Sequence, residues 1–260
     1  MNTGEGLHRH IDPVDKEVYI YTQFEVADSR RVFPVFEQPD IKGTLALTVT
    51  APSKWTLISN SPTPASVRVN EEMSTWSFAV TPTMSSYLYA LCAGPYFKKT
   101  DVYKGKFGTY PLAVFVRPSL SEFLDHEEIF EITKQGFAWF EDKFQVGYPF
   151  PKYDQVFVPE FNAGAMENVG CVTFRDEYIF RSRTTRTAYE SRANTILHEM
   201  AHMWFGDLVT MKWWNDLWLN ESFAEWAAHW ASTGATKYNE AWTLFHVQRK
   251  AWAYRQDQLP

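Results

Sequence analysis

The periodicity of the apolar residues changes near residue 95, and this change limits the chain to a β part followed by a mixed part. Before that point, apolar and polar residues alternate over short stretches, as they do in half-buried strands. Clusters of serine and proline, such as residues 59–64, separate these stretches as turns. The predicted strands are Glu17 to Gln23, Thr44 to Ala51, Val67 to Val69, Trp76 to Val80 and Tyr87 to Cys92. We therefore predict an all-β domain with a sandwich-like or saddle-like sheet over residues 1–95.

The second part, residues 96–260, combines helices with a few strands. Ser119 and Glu122 stand three residues apart, which predicts a capping box at the start of a long helix. Apolar residues recur after it at helical spacing, at Ile129, Ile132, Gly136, Phe137 and Phe140. Short strands are predicted at Gln155 to Val158 and Cys171 to Phe174, and mainly helix is predicted after Tyr189. This order of elements favours an α+β domain.

The composition supports a packed protein and limits its partners. Hydrophobic residues make up 45% of the 260 residues and aromatic residues 17%, so burial can offset the entropy of ordering. The net charge is -6 and no basic cluster resembles a phosphate-binding surface, which argues against nucleic acid as a partner. No apolar run reaches the roughly 18 residues of a membrane span, and the first six residues do not resemble a signal peptide. Cys92 and Cys171 are expected to be buried thiols, so a cytoplasmic location is expected.

Two histidines in an apolar helical stretch form the most specific motif, His198-Glu199-Met200-Ala201-His202. Residues four apart lie on one face of a helix, so both imidazoles can bind the same metal ion. Glu199 is displaced around the helix, where its carboxylate can reach a water beside the metal rather than the metal itself. The alternative is a helix with two core or solvated histidines, and the other five histidines are read as structural or surface residues.

A third ligand is needed, because two histidines rarely hold a catalytic zinc ion. Eighteen residues separate His202 from Glu221, which stands at the start of another helical stretch. A glutamate at a helix start is commonly there only because it is favourable for the helix dipole. Its spacing from the two histidines is what makes it a candidate ligand.

The stretch from His198 to Glu221 resembles the aminopeptidase N family of gluzincins in its bacterial form. The segments that carry the resemblance are His198 to His202, Trp204 to Thr210, Trp213 to Glu221 and Gly164-Ala165-Met166-Glu167-Asn168. Tyr21 to Glu25 and Arg31 to Pro39 are similar to the N-terminal β domain of that family. The resemblance implies a saddle-like β domain followed by a thermolysin-like catalytic domain. It further implies one Zn²⁺ held by His198, His202 and Glu221, with Glu199 as the general base.

The same resemblance implies a site for the free amino group of a peptide. A substrate ammonium is a compact cation that opposed carboxylates in a water-poor cleft bind strongly. Glu167 takes this role by its place in the motif, Glu25 by similarity to the β domain, and Gln23 adds a neutral hydrogen bond. Other substrate-binding residues implied are Gly164 and Ala165, whose small size lets a peptide approach, Met166, for which core filling is an equal alternative, and Asn168, which completes the motif.

The sequence departs from the family at both ends. The first strands of the family's β domain and the helical domain that closes its active-site chamber find no counterpart here, so the chain is expected to be a central fragment. The family's catalytic tyrosine is expected to lie beyond residue 260, since Tyr238 and Tyr254 are too near Glu221 and are assigned to packing. Loss of one oxyanion donor costs a factor of ~10²–10³ in rate. The 260-residue chain is therefore expected to bind zinc but to turn over poorly or not at all.

Three other functions compete with a zinc aminopeptidase. A thermolysin-like endopeptidase would share the helix and the ligands, but Glu167 in its motif argues against it. A non-catalytic scaffold would be expected to lose the ligands, and all three are present. The eleven tryptophans could indicate a carbohydrate-binding module, although packing around the metal motif accounts better for Trp204, Trp213, Trp214 and Trp218.

Overall fold

Twelve strands are found in the computed structural model, which describes residues 3–258. In chain order they are β1 (Gly6–Ile11), β2 (Val18–Gln23), β3 (Thr48–Pro52), β4 (Thr56–Ser59), β5 (Val67–Arg68), β6 (Met73–Ser77), β7 (Leu91–Gly94), β8 (Phe97–Lys104), β9 (Thr109–Val116), β10 (Tyr153–Val158), β11 (Ala165–Met166) and β12 (Cys171–Arg175). The first seven build two antiparallel sheets, ordered β1-β2-β7-β4 and β3-β6-β5. Among the described residues before β8 the only helices are short 3₁₀ turns, which confirms the predicted β part.

Two of the predicted strands in the β part begin too early, and a third, predicted at Trp76 to Val80, lies instead at Met73–Ser77 as β6. The strand predicted from Thr44 is ordered as β3 only from Thr48 onward. In the stretch predicted to start at Tyr87, a 3₁₀ turn at Ser86–Leu88 comes first and β7 begins at Leu91. Asn60 explains the second difference, because its side chain binds the carbonyl oxygen of Leu88 and the backbone N–H of Ala90. These bonds hold the chain in a turn where alternation alone predicts a strand.

A mixed five-stranded sheet and five α-helices form the second part. The sheet has the order β11-β12-β10-β9-β8, in which β9, β10 and β12 are parallel and the two edge strands are antiparallel to their neighbours. The helices are α1 (His126–Phe144), α2 (Arg186–His202), α3 (Trp218–Ala235), α4 (Ala241–Leu244) and α5 (Ala251–Asp257), with a π-helical turn at Phe245–Lys250 between the last two. The chain passes from the first sheet to this one between Gly94 and Phe97, while a boundary near residue 95 stays a prediction.

Helix α1 starts later than the predicted capping box at Ser119. The segment Pro118–Phe123 is a 3₁₀ helix, and α1 begins at His126 with Asp125 as its N-cap residue. The hydroxyl of Ser119 donates to the carboxylate of Asp12 in the β part instead of capping a helix. The residues predicted to form the apolar face of α1 are buried in the core.

Helix α2 is pressed against α1 at Gly136. A methyl group added at this glycine would lie 2.6 Å from Cδ2 of Leu197 and 2.8 Å from Sδ of Met200. Glycine is therefore required for the close approach of the two helices. The contact positions the site, because Leu197 directly precedes His198 and Met200 directly follows Glu199 on α2.

A buried arginine joins the β part to the mixed part. Arg117 follows β9, and its Nη1 lies 2.5 Å from the carboxylate of Asp12, which follows β1. Its Nη2 lies 2.6 Å from the carboxylate of Asp176, which follows β12. Only 6% of Arg117 and none of Asp12 is exposed. The ion pairs therefore fix the first sheet relative to the strand that leads to the site.

Only some of the aromatic residues that the sequence analysis assigns to packing are buried in the structure. Trp204 is buried against Phe140 and Phe144, and Trp214 packs on Tyr87 and donates its N–H to a backbone oxygen. The assignment is wrong for Trp213 and Trp218, which are more than half exposed. Tyr238 is buried, whereas the assignment is also wrong for Tyr254, which is 55% exposed.

Candidate metal centre

Two adjacent helices bring the three candidate ligands together. Helix α2 starts at a proper cap, where the side chain of Thr185 accepts a hydrogen bond from the N–H of Ala188. It presents His198 and His202 on one face, one turn apart. Glu221 lies in the first turn of α3, which packs against α2. A connection of residues 203–217 joins the helices and lets α3 return to the histidine face.

The facing atoms of this set lie within one small volume. Nε2 of His198 is 3.0 Å from Nε2 of His202 and 3.3 Å from Oε2 of Glu221. Nε2 of His202 is 3.7 Å from Oε1 of Glu221. The three ligand atoms all lie within 4.8 Å of one another, which is close enough for one ion to touch them all. Imidazole nitrogens and a carboxylate at this separation match the donor set of a His₂Glu zinc site.

Hydrogen bonds behind the histidines direct their Nε2 atoms toward the gap between the candidate ligands. Nδ1 of His202 lies 3.1 Å from the carbonyl oxygen of Phe205, which can only accept, so Nδ1 carries the proton. Nδ1 of His198 lies 3.1 Å from Oε2 of Glu225. In the neutral rings both Nε2 lone pairs then point into the gap, where they repel each other unless a cation lies between them. The residues present therefore fit a zinc ion.

Glu199 has the environment of a general base. It is 4% exposed, and its Oε2 makes no hydrogen bond with the described residues. Burial, together with the nearby carboxylate of Glu167, raises the pKa of Glu199 to about 8, although the two histidines act in the opposite direction. A carboxylate with a pKa near neutrality can both take up and return a proton during a reaction.

A second group of carboxylates shares Glu221 with the candidate metal ligands. Oxygen atoms of Glu25, Glu167 and Glu221 fall within 4.8 Å of one another. Glu167 is 2% exposed, and Oε1 atoms of Glu167 and Glu25 lack hydrogen-bond partners among the described residues. Burial raises the pKa of both carboxyl groups, and for Glu25 the charge of Glu167 raises it further. Such a cluster is stabilised by a cation with several N–H donors or by a metal ion.

The predicted site residues divide between the wall of one cleft and the layer behind it. The cleft has a volume of about 540 Å³. Those that line it are Glu25, Gly164, Ala165, Glu167, His198, Glu199 and Glu221. Behind it lie Gln23, whose Nε2 contacts Sδ of Met166 at 3.4 Å, and Asn168, whose Nδ2 donates to the hydroxyl of Thr173. Met166 is 1% exposed, so core filling describes it better than contact with a substrate side chain.

Several cleft residues were not singled out in the sequence. Glu225 supports His198, and it could have been found because it stands four residues after Glu221 on the same face of α3. Asn194 likewise stands four residues before His198 on α2 and lines the cleft. Arg175 and Tyr178 reach the cleft from the end of β12 and the turn after it, and no spacing rule connects them with the metal motif.

Sequence comparisons assign both parts of the chain to one family. The profile of the Peptidase family M1 domain matches residues 128–260, and that of the Peptidase M1 N-terminal domain matches residues 5–88. The chain belongs to peptidase family M1. The resemblance stated from the motifs is thereby confirmed, as is a β domain followed by a catalytic domain of helices and strands.

Relatives in family M1 come from bacteria and animals. The chain is 60% identical to an aminopeptidase N of Streptomyces lividans over the whole chain and 30% of that protein. It is 40% identical to an aminopeptidase N of Acetobacter pasteurianus over 80% of the chain and 58% of that protein. It is 36% identical to aminopeptidase Ey of Gallus gallus over 88% of the chain and 23% of that protein. The chain thus spans only part of the length of these M1 relatives. Within residues 3–258, no helix is both long and apolar enough to cross a membrane.

Proposed function

We propose that this M1 chain carries the catalytic centre of a zinc-dependent aminopeptidase, which removes the first residue of peptides that have a free N-terminus. The observation that supports this most is the position of the carboxylates of Glu25 and Glu167, each with one buried and unpaired oxygen atom, directly beside the candidate zinc ligand Glu221. The relatives named aminopeptidase N support the same activity. An endopeptidase has no need for uncompensated carboxylates at the end of its cleft.

In the proposed site His198, His202 and Glu221 hold one zinc ion per chain. When bound, the ion supplies a Lewis acid that polarises the scissile carbonyl and makes water more acidic. Glu199 takes the proton from the attacking water and later gives it to the leaving amine. Burial raises the pKa of this carboxyl group above its ordinary value, which favours holding the proton until the leaving amine takes it.

The amine site selects the substrate by charge. The ammonium group of a peptide places three N–H donors and a positive charge between Glu167 and Glu25, which offsets the repulsion between the two carboxylates. Gly164 and Ala165 leave room for the peptide backbone at the free edge of β11. An N-acetylated peptide has no charge there and would leave both carboxylates uncompensated.

Two further statements belong to the proposal. The β part, residues 1–95, and the zinc peptidase part, residues 96–260, are two domains that share the cleft, since Glu25 comes from one and the metal ligands from the other. We also infer the cytoplasm as its compartment, because Cys92 and Cys171 have the character of buried structural thiols.

A pair of peptides tests the proposal directly. The full-length product of the gene that encodes this chain should cleave a leucyl peptide but not its N-acetylated twin, and a chelator should abolish the cleavage. Glu167→Gln should lower kcat/KM for the free-amine peptide by roughly 10- to 100-fold, as expected for the loss of a charge-assisted hydrogen bond.

Glu190→Gln is the matched control for this test. Glu190 is also a buried glutamate, on α2, but it does not line the cleft. Its substitution should leave the preference for the free amine intact. Equal cleavage of both peptides by the unaltered enzyme would refute amine recognition and favour an endopeptidase, whereas no cleavage of either would favour a scaffold.

A further inference from the structure

Two arginines line the otherwise acidic cleft, and they differ in how they are paired. Arg249 is held by Glu225, with Nε and Oε1 2.6 Å apart. Arg175 has no comparable partner, since its Nε is 3.6 Å from Oε2 of Glu177, a distance beyond that of a hydrogen bond. Its Nε is buried and makes no hydrogen bond with the described residues. Arg175 therefore keeps donors free for an anionic group in the cleft.

The backbone fixes where Arg175 stands along the cleft. Its N–H donates to the carbonyl oxygen of Gly164 at 3.0 Å, and the preceding residue, Phe174, pairs with Ala165. Arg175 thus lies opposite Gly164, which has no side chain to separate the guanidinium from the cleft. The next group beyond Gly164 is the hydroxyl of Tyr178, 3.5 Å from where a Cβ would be. The cleft consequently extends past Gly164 as far as Arg175 and Tyr178.

A peptide whose amine is bound at Glu167 can extend toward this arginine. Strand β11 is the edge of its sheet, so a substrate can pair with its free side. From Glu167 the strand runs back through Ala165 to Gly164, and at ~3.3 Å per residue this is a distance of roughly 10 Å. An extended tripeptide has about this length, which brings its C-terminal carboxylate level with Gly164 and Arg175.

We propose that Arg175 is a specificity-determining residue that binds the C-terminal carboxylate of short peptides, tripeptides above all. This inference rests on the proposed aminopeptidase function and adds a second charged anchor at the other end of the substrate. A guanidinium can form two parallel hydrogen bonds to a carboxylate, which suits a terminal carboxylate better than a neutral amide. The anchor is absent for a long peptide, because its carboxylate extends past Arg175.

The acid and amide forms of one tripeptide measure this anchor. The full-length, zinc-loaded enzyme should have a kcat/KM for Leu-Gly-Gly about 5- to 10-fold higher than for Leu-Gly-Gly-amide, mainly through KM. This is the lower end of the effect of a hydrogen bond to a charged group, because the side chain of Arg175 is 41% exposed. Arg175→Gln should reduce this acid-to-amide ratio to about 1 without changing kcat/KM for the amide. In the unaltered enzyme, the acid-to-amide ratio of kcat/KM should be lower for a pentapeptide than for the tripeptide.

Arg181→Gln is the matched control, because it removes the same charge from an exposed arginine that lines a different cavity. It should keep the ratio of the unaltered enzyme. The proposal would be overturned if the unaltered enzyme and Arg175→Gln had the same acid-to-amide ratio of kcat/KM. It would also be overturned if Arg175→Gln lowered kcat/KM equally for acid and amide, because an equal loss indicates a structural role. Cleavage of N-acetyl-Leu-Gly-Gly would instead refute the amine site, so the two failures are distinguishable.

Discussion

Glu225 should determine how tightly the proposed zinc ion is held, although it is not itself one of the ligands. Its carboxylate accepts two hydrogen bonds, one from Nδ1 of His198 at 3.1 Å and one from Nε of Arg249 at 2.6 Å. The two bonds use different oxygen atoms, Oε2 and Oε1. The histidines lower the pKa of Glu225 to about 2 against the effect of burial, so the group is fully ionised at neutral pH. Such a partner makes Nε2 of His198 a more basic ligand.

Glu225→Gln preserves the shape of the side chain but offers one acceptor oxygen to two donors. Either Arg249 or His198 then faces an amide N–H₂ group, and in both cases His198 loses its charged hydrogen-bond acceptor. Hydrogen bonds to charged groups are worth ~1.5–3 kcal/mol against ~0.5–1.5 kcal/mol for neutral pairs. A loss of about 1.4 kcal/mol is tenfold in affinity, and loss of an outer partner of a metal ligand costs about 10- to 100-fold. We expect the zinc dissociation constant to rise about tenfold in Glu225→Gln and more in Glu225→Ala.

Competition with a chromophoric chelator measures this affinity without any turnover. Glu131→Gln, which removes the same charge from the exposed surface of α1, is the control and should bind zinc as the unaltered protein does. Thermal unfolding of the metal-free proteins tests whether the substitution disturbs the fold itself. A dissociation constant within twofold of the unaltered protein, in a normally folded Glu225→Gln, would refute the reasoning.

Two other predictions concern the packing that positions the site. Arg117→Met leaves the carboxylates of Asp12 and Asp176 buried without their partner, so the free energy of unfolding in urea should fall by ~3–5 kcal/mol; a loss below 1 kcal/mol would show that water reaches these carboxylates. Gly136→Ala drives a methyl group into Leu197 and Met200, and a loss of ~1–3 kcal/mol is expected in thermal unfolding; unchanged stability would show that α1 and α2 separate without cost.

The grouping of the candidate metal ligands could be predicted in part because the geometry of the two histidines is local. His198 and His202 are one helical turn apart, so their common direction follows from the period of the helix alone. Glu221 became a candidate through its spacing from the histidines, and the family resemblance supported it, but no local rule states that α3 returns to the face of α2. Glu225 could also have been predicted as a residue of the site, because the helical period that places the two histidines on one face also places Glu225 beside Glu221.

Residues whose surroundings come from distant parts of the chain were harder to predict. Ser119 has the spacing of a capping residue, but its hydroxyl is used by Asp12, which is 107 residues away in the sequence. Met166 stands within the substrate motif, yet its thioether points toward Gln23 rather than into the cleft. In both cases a tertiary contact overrides a local preference, and no pattern in the neighbouring sequence predicts that contact.

The amine site depends on the junction between the two parts more than the metal site does. Glu25 follows β2 in the first sheet, while Glu167 follows β11 in the second, and their oxygen atoms are brought within 4.8 Å of each other. All three metal ligands, by contrast, come from α2 and α3. A small shift at the junction would therefore separate the two carboxylates and leave the metal geometry unchanged. The buried ion pairs of Arg117 hold that junction, so the proposed amine site should depend on them more than the candidate metal site does.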